Sequence, residues 1–355
     1  MRPGFSAEAR KTAPEAGAVP GFLLVLVLVL GAPAARAWDY EGHRLVNLLA
    51  LEALPTSFPA FAKTPAARER IAFLGGEPDR WRNTPHYPLR HQNNPEHFFD
   101  FEDLAPLELT ATNLPMFRHE FIAHVFRVRA AHPGRFPAIA PTNDLDRTRA
   151  LPGLQPWRIA EDFARLKSSF SYLKAFEQAG GTADEIANAQ ANIVAQMGLM
   201  GHFVGDGSQP LHTTRNYNGW TDPNPRGFTT NRGFHAWIDG GYLRKVGVTF
   251  DELRPRVTPA PVFGAAGPTP ERDPAFEWAV AYLHTQFAEV IPLYELDKAG
   301  GLTGEGEAGR AGREVLLRQL LRSAEALATL WRTAWEQAPA DTYLLQQLAR
   351  RQTGQ

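Results

Sequence analysis

Between Gly201 and His212 the chain places three metal-binding side chains, those of His202, Asp206 and His212. His202 and Asp206 stand four apart, which on a helix puts both on one face about a turn from each other. The same spacing recurs at His235 and Asp239. One such pair is common on helix surfaces, whereas two pairs with His212 between them are hard to meet by chance. Asp79-x-x-Arg82 adds a carboxylate beside a guanidinium, and Glu96–Asp103 adds His97 followed by Asp100, Glu102 and Asp103. Imidazoles and carboxylates without thiolates suit a catalytic zinc with open positions better than a closed structural one. There is no cysteine, which excludes a Cys-type zinc site, a thiol nucleophile and a disulfide frame.

Taken singly, these residues have ordinary explanations. His43 reads as a helix-face histidine, Asp79 and Arg82 as a surface ion pair worth ~0–1 kcal/mol, and Asp239 as a surface carboxylate. Phe98, Phe99 and Phe101 read first as core. His119 and His124 imitate a zincin motif but stand five apart, about 140° from a common face, and are assigned no role.

The elements that must position these residues are helical. Glu41–Leu54, Pro115–Ala131, Trp157–Ala179, Ala183–Phe203, Phe276–Val290 and Arg313–Gln337 carry helical periodicity, and Thr182 with Glu185 predicts a capping box. Asp297–Gly312, rich in glycine, reads as a surface loop. No segment alternates with a period of two, so the expected fold class is all-α, a single multi-helix domain over 38–355. Residues 1–37 read as a signal peptide: basic Arg2, Arg10 and Lys11, an apolar run Phe22–Leu30 too short to span a bilayer, and Ala35-Arg36-Ala37 as cleavage site. The mature chain is then expected to start at Trp38 and to be secreted or periplasmic, without a transmembrane segment and monomeric. Removing four basic and two acidic residues takes the formal charge from −1 to −3, which excludes holding duplex nucleic acid by bulk electrostatics.

Trp38 followed by Gly42-His43, Asp79-x-x-Arg82, His97-Phe98-x-Asp100-x-Glu102-Asp103, His202-Phe-x-Gly-Asp206-x-x-Gln-Pro-Leu-His212 and His235-x-x-x-Asp239 together resemble the secreted zinc-dependent nucleases of the S-one/P-one type, within a superfamily shared with zinc-dependent phospholipase C. The resemblance runs from Trp38 to about residue 240. It implies the fold of that superfamily and three Zn2+. One ion is expected on Asp79, His97, His202 and Asp206. A second is expected on the Trp38 amine and carbonyl, His43 and Asp206, and a third on His212, His235 and Asp239. Three dications against three carboxylates leave a net positive site suited to a phosphodiester. Arg82 is expected to neutralise charge on phosphoryl oxygens, with Asp100 as a further catalytic residue and Phe98 and Asp100 lining a nucleobase pocket. The implied activity is hydrolysis of single-stranded DNA and RNA to 5′-phosphorylated products, with 3′-nucleotidase activity. The alternative is a phospholipase C acting on phosphatidylcholine-like lipids. A zinc-binding protein without turnover is a third reading. The Trp38 amine is free only after cleavage, so a blocked terminus is expected to be inactive.

Two departures stand out. The segment at about 104–156 is an insertion relative to the fungal nucleases, suggesting a lid or a partner surface. Gly240 also follows Asp239 where those nucleases place a polar residue.

Overall fold

Short polar residues set where the main helices begin. In the computed structural model of the chain, which describes residues 38–264 and 272–354, the Asp39 carboxylate accepts the Gly42 amide at the head of α1 (Tyr40–Glu52). Thr64 does the same for Ala67 in α2 (Pro65–Leu74). Next come α3 (Glu77–Arg82), α4 (Tyr87–Asn93), α5 (Arg118–Ala131) and α6 (Gln155–Gln178). α7 (Ala183–Ser208) starts on the capping box: the Glu185 amide donates to Thr182 Oγ1 at 3.2 Å, and the Thr182 amide to Glu185 Oε2 at 2.7 Å. Three short helices follow, α8 (Phe234–Ala236), α9 (Leu243–Val246) and α10 (Phe250–Leu253), with a π-helical turn over Trp237–Tyr242 between the first two. α11 (Pro274–Phe287), α12 (Val290–Lys298), α13 (Gly306–Glu336) and α14 (Thr342–Thr353) complete the chain. Among the described residues there is no strand, only an isolated antiparallel bridge between Phe99 and Gly153. The class is all-α. The signal-peptide reading falls on residues 1–37, outside those described.

α6 and α7 pack side by side, and α13 lies across both and across α1. The shared core includes Val46 and Leu49 of α1, Ile193 and Met197 of α7, and Leu317, Leu320 and Leu327 of α13, all fully buried. Each such side chain contributes roughly 1.5–3 kcal/mol of burial. Two glycines of α7 let α1 come close enough to bring its histidine to the site. A Cβ on Gly201 would stand 1.7 Å from Asn47 Oδ1, and one on Gly205 would stand 2.8 Å from His43 Nδ1. Among the described residues no helix is long and apolar enough to cross a membrane.

Three sequence-based boundaries are corrected. The helix predicted over Pro115–Ala131 starts at Arg118, because the Met116 carbonyl accepts the Trp157 indole at 3.0 Å and Phe117 is extended (φ −89°, ψ 127°). The helix predicted over Phe276–Val290 ends at Phe287, and a separate one starts at Val290. Pro292 explains the break, since it has no amide for the Ala288 carbonyl and its ring would collide there. The predicted surface loop Asp297–Gly312 already contains the first two turns of α13. Gly312 serves close packing, since a Cβ there would lie 1.9 Å from the Gly301 carbonyl oxygen.

Candidate metal centre

The last two turns of α7 are buried on every side from Met200 to Ser208. They carry His202 and Asp206 into the core. His202 Nδ1 donates to the Gly75 carbonyl at 2.7 Å, which leaves Nε2 as a lone pair. That Nε2 lies 2.9 Å from His97 Nδ1 and 3.3 Å from Asp206 Oδ2, and His97 Nδ1 lies 3.0 Å from the same oxygen. Two ring nitrogens and one carboxylate oxygen thus form a triangle in which every residue is 0% exposed. His43 of α1 stacks on His202 with ring centroids 4.0 Å apart. Its Nε2 stands 3.3 Å from Asp206 Oδ1. Asp206 therefore faces histidines with both oxygens. Asp79 of α3 joins His43 and His202, with one ligand atom from each within 4.8 Å of the others.

A second cluster adjoins the first. His212 follows α7 on a short 3-10 turn, Pro210–Thr213, and its Nδ1 donates to the His97 carbonyl at 2.5 Å. Its Nε2 points at His235 Nε2, 2.9 Å away, which lies 3.0 Å from Asp239 Oδ2. Gln209 orients that carboxylate: its amide donates to Asp239 Oδ1 at 2.6 Å while its carbonyl accepts the Leu211 amide at 2.8 Å. His235 and Asp239 keep their four-residue spacing, although Asp239 sits in the π-helical turn.

These residues suit cations. Asp79 Oδ1, Asp206 Oδ1, Asp239 Oδ2 and both His43 nitrogens are buried without a hydrogen-bond partner. Leaving a buried polar group unsatisfied costs about 1–3 kcal/mol, and several such atoms in one place are reconciled by ions they can ligate. Burial keeps His43 and His212 below the ordinary imidazole pKa. It holds His97 and His235 well below it, helped for His97 by Arg82 and for His235 by His212 and then Arg82. Neutral imidazole is the ligating form. Burial would lower His202 too, but the charge and hydrogen bond of Asp206, the charge of Asp79 and the Gly75 carbonyl together outweigh it and the net shift is upward. Asp206 stays well below the usual carboxylate range: burial would raise it, yet the charges of His202 and His212 prevail. Asp239 lies well above that range because burial outweighs the Gln209 hydrogen bond. The Arg82 guanidinium acts on His97, His212, His235 and Asp239, so its charge is felt in both clusters.

The other sequence-singled residues lie around these clusters. The Trp38 ring is buried, with its Nε1 donating to Ser208 Oγ at 3.1 Å. The next amide, of Asp39, donates to the Asp239 carbonyl at 3.2 Å. Residue 38 is thereby tied to the end of α7 and to the π-helical turn. Phe99 and Phe101 are core and pack edge to face, 5.0 Å apart. Phe98 is half-buried and Asp100 partly exposed. Burial, Asp103 and Glu102 together push the Asp100 carboxyl well above its usual range. The strip they belong to is clamped on both sides: Phe99 N donates to the His212 carbonyl at 2.9 Å and Asp100 N to the Pro152 carbonyl at 2.7 Å. Gly153 opposite (φ +107°) admits no side chain, since a Cβ there would lie 1.9 Å from the Phe98 carbonyl oxygen.

Sequence reasoning assigned no role to several supporting residues. Gln209 was visible inside the motif, but its partner Asp239 lies 30 residues away. The Gly75 and His97 carbonyls that fix two imidazoles have no side-chain signal at all. Tyr217, exposed, packs edge-on against His235 with centroids 5.6 Å apart. Glu96, beside His97, is buried between Arg118 (2.6 Å) and Arg158 (2.7 Å). No protein-family model matches the chain, and no curated protein matches it.

Proposed function

We propose that this chain is a secreted or periplasmic phosphodiesterase with three zinc ions, hydrolysing single-stranded DNA and RNA to 5′-phosphorylated products and acting also as a 3′-nucleotidase. The observation that carries the reading is the pair of adjoining, buried His/Asp clusters with the charge of Arg82 felt in both. His97, His202, Asp206, Asp79 and His43, with the Trp38 terminus, would hold two ions, and His212, His235 and Asp239 the third. Bound zinc supplies Lewis acidity and lowers the pKa of water to about 7. The chain's own residues supply the rest. Gly75, His97 and Gln209 fix the donor atoms in place before substrate arrives, so little reorganisation is left for the reaction. Arg82 offers a fork of donors for phosphoryl oxygens. Phe98 and Tyr217, neither of them part of the core, offer ring faces for a base, and such stacking is worth about 1–3 kcal/mol without sequence preference. Tyr217 favours a nucleotide over a lipid, because its exposed ring meets solvent beside His235. A phosphatidylcholine-type phospholipase is the second reading. An apolar cavity of about 150 Å³ behind Trp38 and Gln209, lined by Leu293, Leu296 and Leu316, favours it.

The test is release of acid-soluble nucleotides from single-stranded DNA by protein beginning at Trp38, with and without a chelator. Chelator-sensitive release is expected. No release by zinc-loaded protein that cleaves phosphatidylcholine would replace the first reading with the second.

A further inference from the structure

The 104–156 segment does not merely pad the surface. Helix α5 is anchored to the core by Phe121, stacked on Trp157 at 4.3 Å. Arg118 ties the same helix to Glu96, the neighbour of His97. The rest of the segment folds over a cleft of about 480 Å³. Arg129, Arg135, Arg149 and Arg215 line it against only two carboxylates, Asp103 and Asp222. Three of the four arginines come from the segment itself. Two of the four are already engaged by carboxylates: Arg215 with Asp103 (3.0 Å) and Asp222 (2.8 Å), and Arg135 with Glu108 (2.7 Å).

Arg129 and Arg149 differ. Neither makes an ion pair with any described residue. The Arg129 guanidinium lies over the Phe136 ring, 4.4 Å from its centroid, and partial burial lowers its pKa. Arg149 is held by the preceding turn, its guanidinium Nε donating to the Asn143 carbonyl and its main-chain amide to the Asp144 carboxylate. Neither guanidinium lies within ion-pair distance of a carboxylate among the described residues, and Arg129, which is partly desolvated, gains most from an added anion.

The cleft adjoins the chain segments that follow two of the candidate metal ligands. Its wall residue Pro152 accepts the Asp100 amide, three residues beyond His97, and Arg215 stands three residues beyond His212. A single phosphate group would leave most of such a cleft empty, whereas a chain of phosphates would run along it.

We propose that this arginine cleft binds the phosphodiester backbone of a single-stranded nucleic acid on the stretch flanking the bond held at the metal centre. The proposal rests on the phosphodiesterase reading and names the substrate feature that the extra segment recognises. It makes the segment a strand-binding wall with Arg129 and Arg149 as phosphate contacts.

The experiment compares wild type with Arg129→Gln/Arg149→Gln in the zinc-loaded full-length mature protein. Three quantities are read: binding of a fluorescein-labelled twelve-nucleotide oligothymidylate, its hydrolysis, and hydrolysis of bis(p-nitrophenyl) phosphate, which is too small to reach the cleft. The double variant should raise Kd and KM for the oligonucleotide by about 10–100-fold. It should also flatten the slope of log affinity against log salt by about 1.4, for two lost contacts to a single strand. The small ester should be cleaved at the wild-type rate, and Arg129→Lys/Arg149→Lys should restore the salt slope. Unchanged oligonucleotide affinity and slope would overturn the proposal, as would an equal loss on the small ester. Binding of phosphatidylcholine or phosphatidylglycerol vesicles that depends on the two arginines, with oligonucleotide binding unaffected, would assign the cleft to lipid headgroups and overturn it too. If neither ester is cleaved yet oligonucleotide binding still needs both arginines, the phosphodiesterase reading fails and the strand-binding cleft stands.

Discussion

The two His/Asp clusters use the same side chains on very different supports. Asp206 and His202 stand on a 26-residue helix packed into the core. His235 and Asp239 stand on a three-residue helix and a π-helical turn. The first cluster also draws His43 from α1 and Asp79 from α3. The second has Tyr217 exposed at its edge. Their carboxylates diverge accordingly, with Asp206 held ionised by surrounding imidazoles and Asp239 pushed towards the neutral acid by burial. Rigid support and pre-ionised ligands describe a cluster built to retain ions. The lighter support and the costlier carboxylate describe one whose ion would be the easier to lose.

The sharpest way to break this contrast is Asp206→Asn. Asp206 faces His43, His97 and His202 at 3.0–3.3 Å, so its loss should strip more than one ion and lower the proposed nuclease activity by about 10³-fold or more, the equivalent of several kcal/mol. Steady-state rates with metal analysis read this, and retention of activity within tenfold would dissolve the distinction. Asp239→Asn should act more locally, removing one ion and about 10²-fold of rate while leaving the long helix and the unfolding midpoint near wild type. A subtler probe is Gln209→Leu, which would touch none of the three ions directly. Its expected effect is a 10–100-fold weaker affinity at the second cluster alone, read by competition with a zinc-sensitive dye. Equal weakening at both clusters would show that they are not separately supported.

The smallest effect concerns pH in the chelated protein. Burial sets the folded pKa values of His43, His97, His212 and His235 below the ordinary 6.5, so the unfolded chain takes up these protons first. Their contribution is therefore complete above pH 6.5 and is lost as pH falls through the folded values. His202, shifted upward, acts in the opposite sense but is one group against four. Thermal unfolding with and without zinc between pH 7.5 and about 5.5 checks this. The metal-free protein should lose midpoint steadily, and a flat profile would contradict the neutral-imidazole assignment.

Local signals in the sequence were readable where one element carries the information. The four-residue spacing of His202 and Asp206 and the Thr182–Glu185 box both belong to α7, and both appear there. What the spacing of His235 and Asp239 could not show is that the second residue lies in a π-helical turn, because the donors meet there as they would on an α-helix. Gly309 and Gly312 read as loop and proved to be helix, since composition does not tell a flexible glycine from one excluded from bearing a side chain by the Gly301 carbonyl. The resemblance groups Asp79 with His97, His202 and Asp206, and in the structure a ligand atom of Asp79 lies within 4.8 Å of ligand atoms of His43 and His202. That placement depends on how α3 docks against α1 and α7, which no local pattern encodes. The arginine cleft was equally illegible, because Arg129 and Arg149 lie 20 residues apart in the 104–156 segment and meet Arg215, which lies beyond α7, only through the fold.

The most direct test of the account is a zinc count per chain by mass spectrometry, on protein starting at Trp38, equilibrated with excess zinc and freed of unbound metal. Wild type should hold three ions, Asp239→Asn two and Asp206→Asn one or none. A wild-type chain with no zinc, or variants that keep the full complement, would contradict it.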